Sequence, residues 1–300
     1  MAIKNLGRDY IPLAIHSLGG VQCLLFCHRR IHPHIDLVNV ADVACGVGNV
    51  FHNKGAIGVF LQLTPKGSRT PVKFLFVTAH LAAHVKNVQA RNDDFWRIIS
   101  EFEGKSPPRF LPPKDTFAIS DRRAIDLSSG ANIPMDGDLE KTDGGKHLLD
   151  SMDHIFFCGD LNYRVDLPRE IVEHSLYKIK EIKTNNKKQR SEAYRKLIMH
   201  DQLTSTIARR DAFPDFSEGQ IQFAPTFKFN KGTNVYDTSY KQRIPAWTDR
   251  ILFKQKFFND ETKKGFGVKV LQYDSVDDAM HSDHRPVFGV FQVGMGHKTN

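Results

Sequence analysis

Five short polar clusters carry side chains that could do chemistry, and each lies where an apolar run begins or ends. They are "NKG" at 53–55, "TAHLAAH" at 78–84, "GDLNYR" at 159–164, "PAWTDRIL" at 245–252 and "SDHRP" at 282–286. Their carboxylates, amide and histidines are Asp160, Asp249, Asp283, Asn162, His80 and His284. Hard oxygen ligands without thiolates suit Mg²⁺, and a histidine paired with a carboxylate can donate to a developing phosphate charge. The set predicts metal-assisted hydrolysis of a phosphate ester.

Each cluster taken alone has a simpler interpretation. Asp160 and Asn162 are also typical of an Asx-type turn after a strand, and an isolated His80 is more often a buried structural histidine. Asp249 and Arg250 are equally typical of a local ion pair. The occurrence of all five clusters at strand ends favours a site, because loops at one end of a sheet bring distant residues together.

Four apolar runs predict strands in the first eighty residues. They are "VQCLLFCHRR", "IDLVNVADVACG", "GAIGVFLQL" and "VKFLFVTAH". Each is rich in β-branched or aromatic residues and is bounded by Gly, Pro or Asn. Several are almost continuously apolar, so we expect them to be buried on both faces, as in a layered α/β protein.

Three segments predict helices. In "NVQARNDDFWRIISEFEG" the apolar residues follow the spacing of one helical face, and Gly104 is placed to cap the end. A second helix is predicted from about Pro168, and a third over "SEAYRKLIMHDQL". Residues 105–150 contain several prolines and no sustained period, which predicts a flexible insertion within one domain spanning 1–293. Residues 294–300 predict a disordered tail.

Composition limits the class of protein. The 300 residues are 40% hydrophobic and 25% charged, as in ordinary soluble proteins, and we expect a cytoplasmic location. Four cysteines without CxxC spacing predict buried free thiols. The net charge of +8 favours a polyanionic partner, which could be nucleic acid, an acidic membrane surface or a phosphorylated small molecule.

Read in order, the motifs resemble those of the inositol polyphosphate 5-phosphatases, a branch of the DNase I-like endonuclease/exonuclease/phosphatase superfamily. They are "GNVFHNKGAIGV", "TAHLAAH", "FFCGDLNYR", "FAPTFKFN", "RIPAWTDRIL" and "SDHRPV". The resemblance implies a four-layer α/β/β/α sandwich and Mg²⁺-dependent hydrolysis of the 5-phosphate of phosphoinositides or soluble inositol polyphosphates. Direct attack by water, without a phospho-enzyme, is implied as well.

The resemblance also implies roles for individual residues. Asp160 would activate the attacking water, Asn162 and His80 would contact the scissile phosphate, and Asp249 would orient His284 against the transition-state charge. Asp283 would lie beside the metal. The residues that would bind substrate are Asn53, Lys54, Arg164, Lys228, Lys241 and Arg243.

Two departures from the family pattern bear on activity. The sequence has no match to the family's two opening strands, whose Glu is the principal Mg²⁺ ligand, and its first Glu is Glu101. We therefore expect an N-terminally incomplete sandwich. Phe227 stands where many relatives have Tyr, which predicts weaker substrate binding rather than a different reaction.

Three functions remain open at this point. The leading one is a 5-phosphatase that contacts an anionic membrane peripherally. A catalytically impaired module that binds phosphoinositides or a protein is the alternative, supported by the absent Glu. A nuclease of the same fold agrees with the basic charge, but "GDLNYR" and "PAWTDRIL" disfavour it, so no nucleic-acid partner is expected.

Overall fold

Five strands open the part of the chain that the structure describes, helices then flank a sixth strand, and four more strands complete it around one large sheet. The computed structural model describes residues 6–46, 53–105, 146–183, 186–255 and 267–295. The strands are β1 (Tyr10–Leu18), β2 (Val21–His28), β3 (Ile35–Ala44), β4 (Gly55–Leu63), β5 (Val72–His80), β6 (His154–Asp160), β7 (Ser217–Glu218), β8 (Asp249–Gln255), β9 (Val268–Ser275) and β10 (Val287–Val293). The helices are α1 (Val88–Lys105), α2 (Lys146–Ser151), α3 (Arg169–Glu181), α4 (Lys187–Ile198) and α5 (Gln202–Arg209).

Most of the predicted elements are confirmed. The four predicted strands are β2 to β5, and the first two predicted helices are α1 and α3. The predicted helix cap at Gly104 is wrong, because Gly104 lies inside α1. The third predicted helix is two helices, α4 and α5, because the Asp201 side chain accepts the Thr204 N–H at 3.0 Å and so caps a new helix.

The predicted insertion at 105–150 needs correction at its ends. Residues 106–145 lie outside the described residues, but 146–150 belong to α2, where Leu148 and Leu149 are buried in the main core. These two leucines therefore make 146–150 part of the folded domain. Of the predicted tail, 296–300 lie outside the described residues, and the Gly294 N–H donates to the Gly267 carbonyl at 2.8 Å.

The six-stranded central sheet has the order β3-β4-β5-β6-β8-β7. Strands β5 and β6 are parallel, while their outer neighbours β4 and β8 run antiparallel to them. The ends of β5 and β6 therefore share one edge of the sheet with the beginnings of β4 and β8. This edge carries four of the five predicted clusters, and the fifth, "SDHRP", precedes β10 of a separate hairpin.

The central sheet is buried on both faces, as its apolar runs predicted. On β4, Ala56 and Phe60 pack against α1 in the main core, whereas Ile57 and Leu61 face the opposite layer. This opposite layer consists of two separate hairpins, β1–β2 and β9–β10. The mixed α/β architecture with a large central sheet confirms the predicted fold class.

The four cysteines are free thiols, as predicted, although only Cys27 is fully buried. Among the helices that the structure describes, none is long and apolar enough to cross a membrane.

Candidate active site

Backbone register aligns three of the predicted catalytic residues in one row across the sheet. His80 on β5 is paired with Asp160 on β6, and Asp160 is paired with Asp249 on β8. Gly55, which follows Lys54, is paired with His80 on the other side. Neighbouring strands lie about 4.8 Å apart, so the four positions form one continuous edge.

The turn after β6 shapes the centre of this row. A Cβ on Gly159 would lie 2.0 Å from the Ala79 carbonyl oxygen, so only glycine permits the close approach of β5. Asp160 Oδ1 accepts the Asn162 N–H at 3.1 Å, which is the predicted Asx-type turn. Its Oδ2 lies 3.3 Å from His80 Nε2, and the Lys54 ammonium contacts the same nitrogen. The turn and the catalytic interpretation are therefore compatible.

Asp249 orients His284 through a group of hydrogen bonds at one oxygen. Its Oδ2 lies 2.9 Å from His284 Nδ1 and also accepts the hydroxyls of Thr226 at 2.7 Å and Thr248 at 3.0 Å. The alternative prediction of a local ion pair between Asp249 and Arg250 is wrong. Arg250 points into the core instead, where it binds two other acids.

Those two acids are Asp201 and Glu218. The Arg250 guanidinium lies 2.9 Å from Asp201 Oδ1 and binds both oxygens of Glu218 at 2.6 and 2.5 Å. The Arg250 and Asp201 side chains are 1% and 0% exposed. Because a buried charge needs a hydrogen-bonded partner, this group fixes the start of β8 and thereby Asp249.

Asn162 and Arg164 form a buried layer beneath the row. Asn162 donates to the Leu81 carbonyl at 3.0 Å and accepts from Arg164 at 2.6 Å, so both ends of its amide are engaged. The Arg164 guanidinium also stacks on the Phe227 ring at 4.4 Å, and this ring lies 4.7 Å from the His284 ring. These contacts support positioning roles, and direct contact of Asn162 or Arg164 with a phosphate stays a prediction.

The environment shifts the pKa values of Asp160 and His284 in opposite directions. Burial raises the pKa of Asp160, but the hydrogen bond with His80 and the charges of His284 and Lys54 outweigh it, so the pKa lies below its ordinary value. Burial lowers the pKa of His284, but its bond to Asp249 and the nearby carboxylates outweigh it, so that pKa is raised. These shifts favour a carboxylate at Asp160 and the imidazolium form of His284 beside it.

A clamp from α1 holds the loop after β5. Arg91 donates to the carbonyls of Ala82 at 3.2 Å and His84 at 2.7 Å, and Asp94 accepts the Ala82 N–H at 2.9 Å. Burial raises the pKa of Asp94 to about 6. Because Leu81 in this loop binds Asn162, the clamp connects α1 to the site.

The predicted substrate-binding residues differ in how closely they approach the row. Lys228 Nζ is 3.8 Å from Asp283 Oδ2, and Arg243 is close enough to help lower the pKa of Arg164 to about 10, an effect due mainly to burial. Lys241 is exposed and lies over the Tyr240 ring at 5.6 Å. Asn53 is exposed and precedes Lys54, and its contact with substrate stays a prediction.

The oxygen donors fit a magnesium ion only as a partial ligand set. Within the ranges that the structure describes, no three His, Cys, Asp or Glu side chains form a metal-binding group. Besides Asp249, which binds His284 directly, Asp160 and Asp283 both act on His284 electrostatically, so two further carboxylates lie near it. Because Mg²⁺ often takes one or two carboxylates and completes its shell with water and substrate phosphates, these two suit that mode of binding.

Sequence reasoning missed the groups that hold the catalytic residues in place. Thr226 and Thr248 lie inside the recognised motifs, and their position next to predicted site residues was a usable signal. Arg91 and Asp94 gave no such signal in the sequence, because the sequence shows only that they lie on a polar side of a helix. The backbone path that brings them to residues 81–84 is a tertiary property.

Comparisons with known proteins agree with the motifs. The family model described as Endonuclease/Exonuclease/phosphatase family 2 matches residues 2–290. Synaptojanin of Caenorhabditis elegans is 31% identical over 95% of this chain and 20% of its own length. Phosphatidylinositol 4,5-bisphosphate 5-phosphatase INP51 of Saccharomyces cerevisiae is 29% identical over 95% of this chain and 23% of its own length. The chain thus spans about a fifth of these relatives.

Two solved structures have a similar fold. One is the inositol polyphosphate 5-phosphatase domain of SPSynaptojanin in complex with inositol (1,4)-bisphosphate and calcium ion. It is 28% identical with a TM-score of 0.62, over 95% of this chain and 64% of that one. Cimex nitrophorin in a ferrous NO complex is 19% identical with a TM-score of 0.58, over 98% of this chain and 78% of that one, which shows the fold alone.

Proposed function

The chain belongs to the endonuclease/exonuclease/phosphatase family 2, and from this membership we propose that it is a phosphoric monoester hydrolase. Its substrates would be phosphoinositides such as phosphatidylinositol 4,5-bisphosphate, or soluble inositol polyphosphates, from which it removes the 5-phosphate. The observation that carries this proposal is the row of His80, Asp160 and Asp249, with His284 bound to Asp249. It brings together the Asp160 carboxylate, whose pKa is lowered, and the His284 imidazole, whose pKa is raised.

Asp160 orients the attacking water in this proposal. Its lowered pKa keeps it ionised at neutral pH, so it accepts a hydrogen bond from water and holds it towards the phosphorus. A carboxylate of low pKa is a weak base, so it contributes positioning and charge more than early proton removal.

His284 and the surrounding cations stabilise the charge on the phosphate. The raised pKa of His284 favours the imidazolium, which donates from Nε2 while Nδ1 is held by Asp249. Lys54 and His80 lie at the opposite end of the row. Lys228, Lys241 and Arg243 would bind a neighbouring phosphate of the ring, and three cations there would select a multiply phosphorylated substrate.

We propose Mg²⁺ as the cofactor, held by Asp283 and Asp160 together with substrate oxygens and water. When bound, the ion would neutralise charge on the phosphate. Because the described residues form only a partial ligand set, we expect this site to be weak. We also propose a cytoplasmic location with peripheral membrane contact, in agreement with the basic charge.

A second candidate function is a module that binds the headgroup without hydrolysis. It is favoured by the partial ligand set, since no three candidate ligands meet within the described residues. This module would keep the cations that bind the ring phosphates. It would differ from the enzyme in releasing no phosphate.

Phosphate release from short-chain phosphatidylinositol 4,5-bisphosphate, with Mg²⁺ and with EDTA, tests the proposal. Asp160→Asn should abolish release, whereas Asp150→Asn, at a side chain that is 78% exposed, should leave it unchanged. Release that needs Mg²⁺ and Asp160 supports the enzyme. Headgroup binding unaffected by EDTA and without release supports the binding module, and preferred cleavage of DNA would support a nuclease.

A further inference from the structure

A tight turn beside the site presents the most exposed large apolar side chain that the structure describes. Tyr240 is 89% exposed, compared with 63% for Met199 and 62% for Tyr177. The Gln242 N–H donates to the Ser239 carbonyl at 3.0 Å, so Tyr240 occupies the first central position of a β-turn. An aromatic ring at this position projects away from the protein.

The turn is rigid because one buried carboxylate holds both of its ends. Asp237 is 1% exposed and accepts the Ser239 N–H through Oδ1 and the Arg243 N–H through Oδ2, each at 3.0 Å. Arg169 binds the Asp237 carbonyl at 2.7 Å. We call residues 237–243 the Tyr240 turn. Its conformation is fixed without any contribution from the ring at its tip.

A second loop is tied to this turn and adds charge and apolar surface. The Asn230 side chain exchanges two hydrogen bonds with Thr238, at 2.9 and 3.2 Å. Lys231 and Val235 follow in that loop and are exposed, Val235 by 53%. Residues 228–243 carry four cations, Lys228, Lys231, Lys241 and Arg243, against a single acid, Asp237, which is buried.

The Tyr240 turn lies beside the candidate site. Lys228, at the base of the segment, pairs with Asp283, and Arg243, at the end of the turn, acts electrostatically on Arg164. The Arg164 guanidinium stacks on Phe227, whose ring faces His284. A surface that the tip of the turn touches is therefore next to the site.

We propose that the Tyr240 turn, with Lys231 and Val235, anchors the candidate site to an anionic membrane surface. Tyrosine is suited to the boundary between headgroups and acyl chains, because it combines an apolar ring with a polar hydroxyl. Neighbouring cations attract anionic lipid. The rigid turn avoids the entropy cost of ordering a loop at the membrane. The inference rests on the proposed function in that it places a lipid substrate at the site.

The test compares variants in flotation with vesicles of phosphatidylcholine, with and without phosphatidylserine. Tyr240→Ser should reduce partition into anionic vesicles roughly tenfold, the effect of withdrawing about 60 Å² of apolar surface. Lys231→Gln should reduce it about fivefold on anionic vesicles and leave neutral ones unaffected. Tyr177→Ser, an exposed tyrosine on α3, is the matched control and should behave as the unmodified chain.

Hydrolysis separates this inference from the proposed function. Tyr240→Ser should keep its activity on soluble inositol 1,4,5-trisphosphate and lose it on phosphatidylinositol 4,5-bisphosphate in vesicles. The inference would be overturned if Tyr240→Ser and the unmodified chain partitioned equally into anionic vesicles. It would also be overturned if Tyr177→Ser lost as much vesicle binding as Tyr240→Ser. A chain that hydrolyses the soluble substrate without binding vesicles refutes only the anchor, whereas Tyr240-dependent vesicle binding without hydrolysis supports the anchor and refutes the phosphatase. Binding of an acidic peptide in place of vesicles would also overturn it.

Discussion

Replacing Asp249 by Asn tests whether this residue acts through His284. The substitution preserves size and the acceptor for Thr226 and Thr248 but removes the negative charge that faces the imidazole at 2.9 Å. We expect the protonated form of His284 to lose its main support. The chemical step should then slow more than substrate binding weakens.

The size of the effect follows from the type of bond that is lost. A hydrogen bond to a charged group contributes about 1.5–3 kcal/mol. Each ~1.36 kcal/mol of lost transition-state stabilisation lowers the rate tenfold. We therefore expect kcat to fall roughly 10- to 150-fold, with a smaller change in KM, because His284 acts on charge that develops in the transition state.

Steady-state phosphate release from short-chain substrate measures both constants. Thr226→Val is the matched control, since it removes a neutral donor to the same Oδ2 and leaves His284 in place. It should lower kcat about fivefold, the effect of losing a neutral hydrogen bond of about 1 kcal/mol. If Asp249→Asn has an unchanged melting temperature and keeps more than half of the original kcat, Asp249 does not orient a catalytic His284.

Two further predictions concern stability. Arg250→Met should lower the free energy of unfolding by about 3–5 kcal/mol, because it leaves the buried Asp201 and Glu218 without their cation. Urea denaturation measures this free energy. The control is Arg195→Met, which breaks the surface pair with Glu192 and should lower the free energy of unfolding by about 0–1 kcal/mol. Equal losses in the two variants would refute the role of burial. Asp94 binds protons more readily when folded, since its pKa is raised from 3.8 to about 6, so the stability that it contributes is present below 3.8 and lost as pH rises through 6. The melting temperature of Asp94→Asn minus that of the unmodified chain should therefore increase across this window, and a constant difference would contradict the assignment.

The strands and the polar clusters at their ends were predictable because both signals are local. Continuous apolar runs identified β2 to β5, and the motif at 159–164 identified the end of β6. The pairing of Asp160 with Asp249 was not predictable, since it depends on the order of strands in the sheet. The division of the third predicted helix was missed because Asp201 interrupts an apolar period that continues on either side.

Buried charges were the least predictable part of the site. Arg250 follows Asp249 directly, and sequence adjacency suggested an ion pair between them. Successive side chains on a strand point to opposite faces, so Arg250 reaches Asp201 and Glu218 instead. Contact of Asn162 and Arg164 with substrate stays a prediction, and their hydrogen bond to each other follows from a turn geometry that composition does not encode.

The row across β4, β5, β6 and β8 also determines which changes in chain length the protein can tolerate. Because side chains alternate along a strand, deleting one residue within β6 would turn Asp160 from the edge of the site towards the helices, without altering any loop. An insertion between α3 and α4 leaves this alignment unchanged. Length variation is therefore expected in the connections and excluded from the paired strands, so the catalytic geometry can persist while most of the sequence diverges.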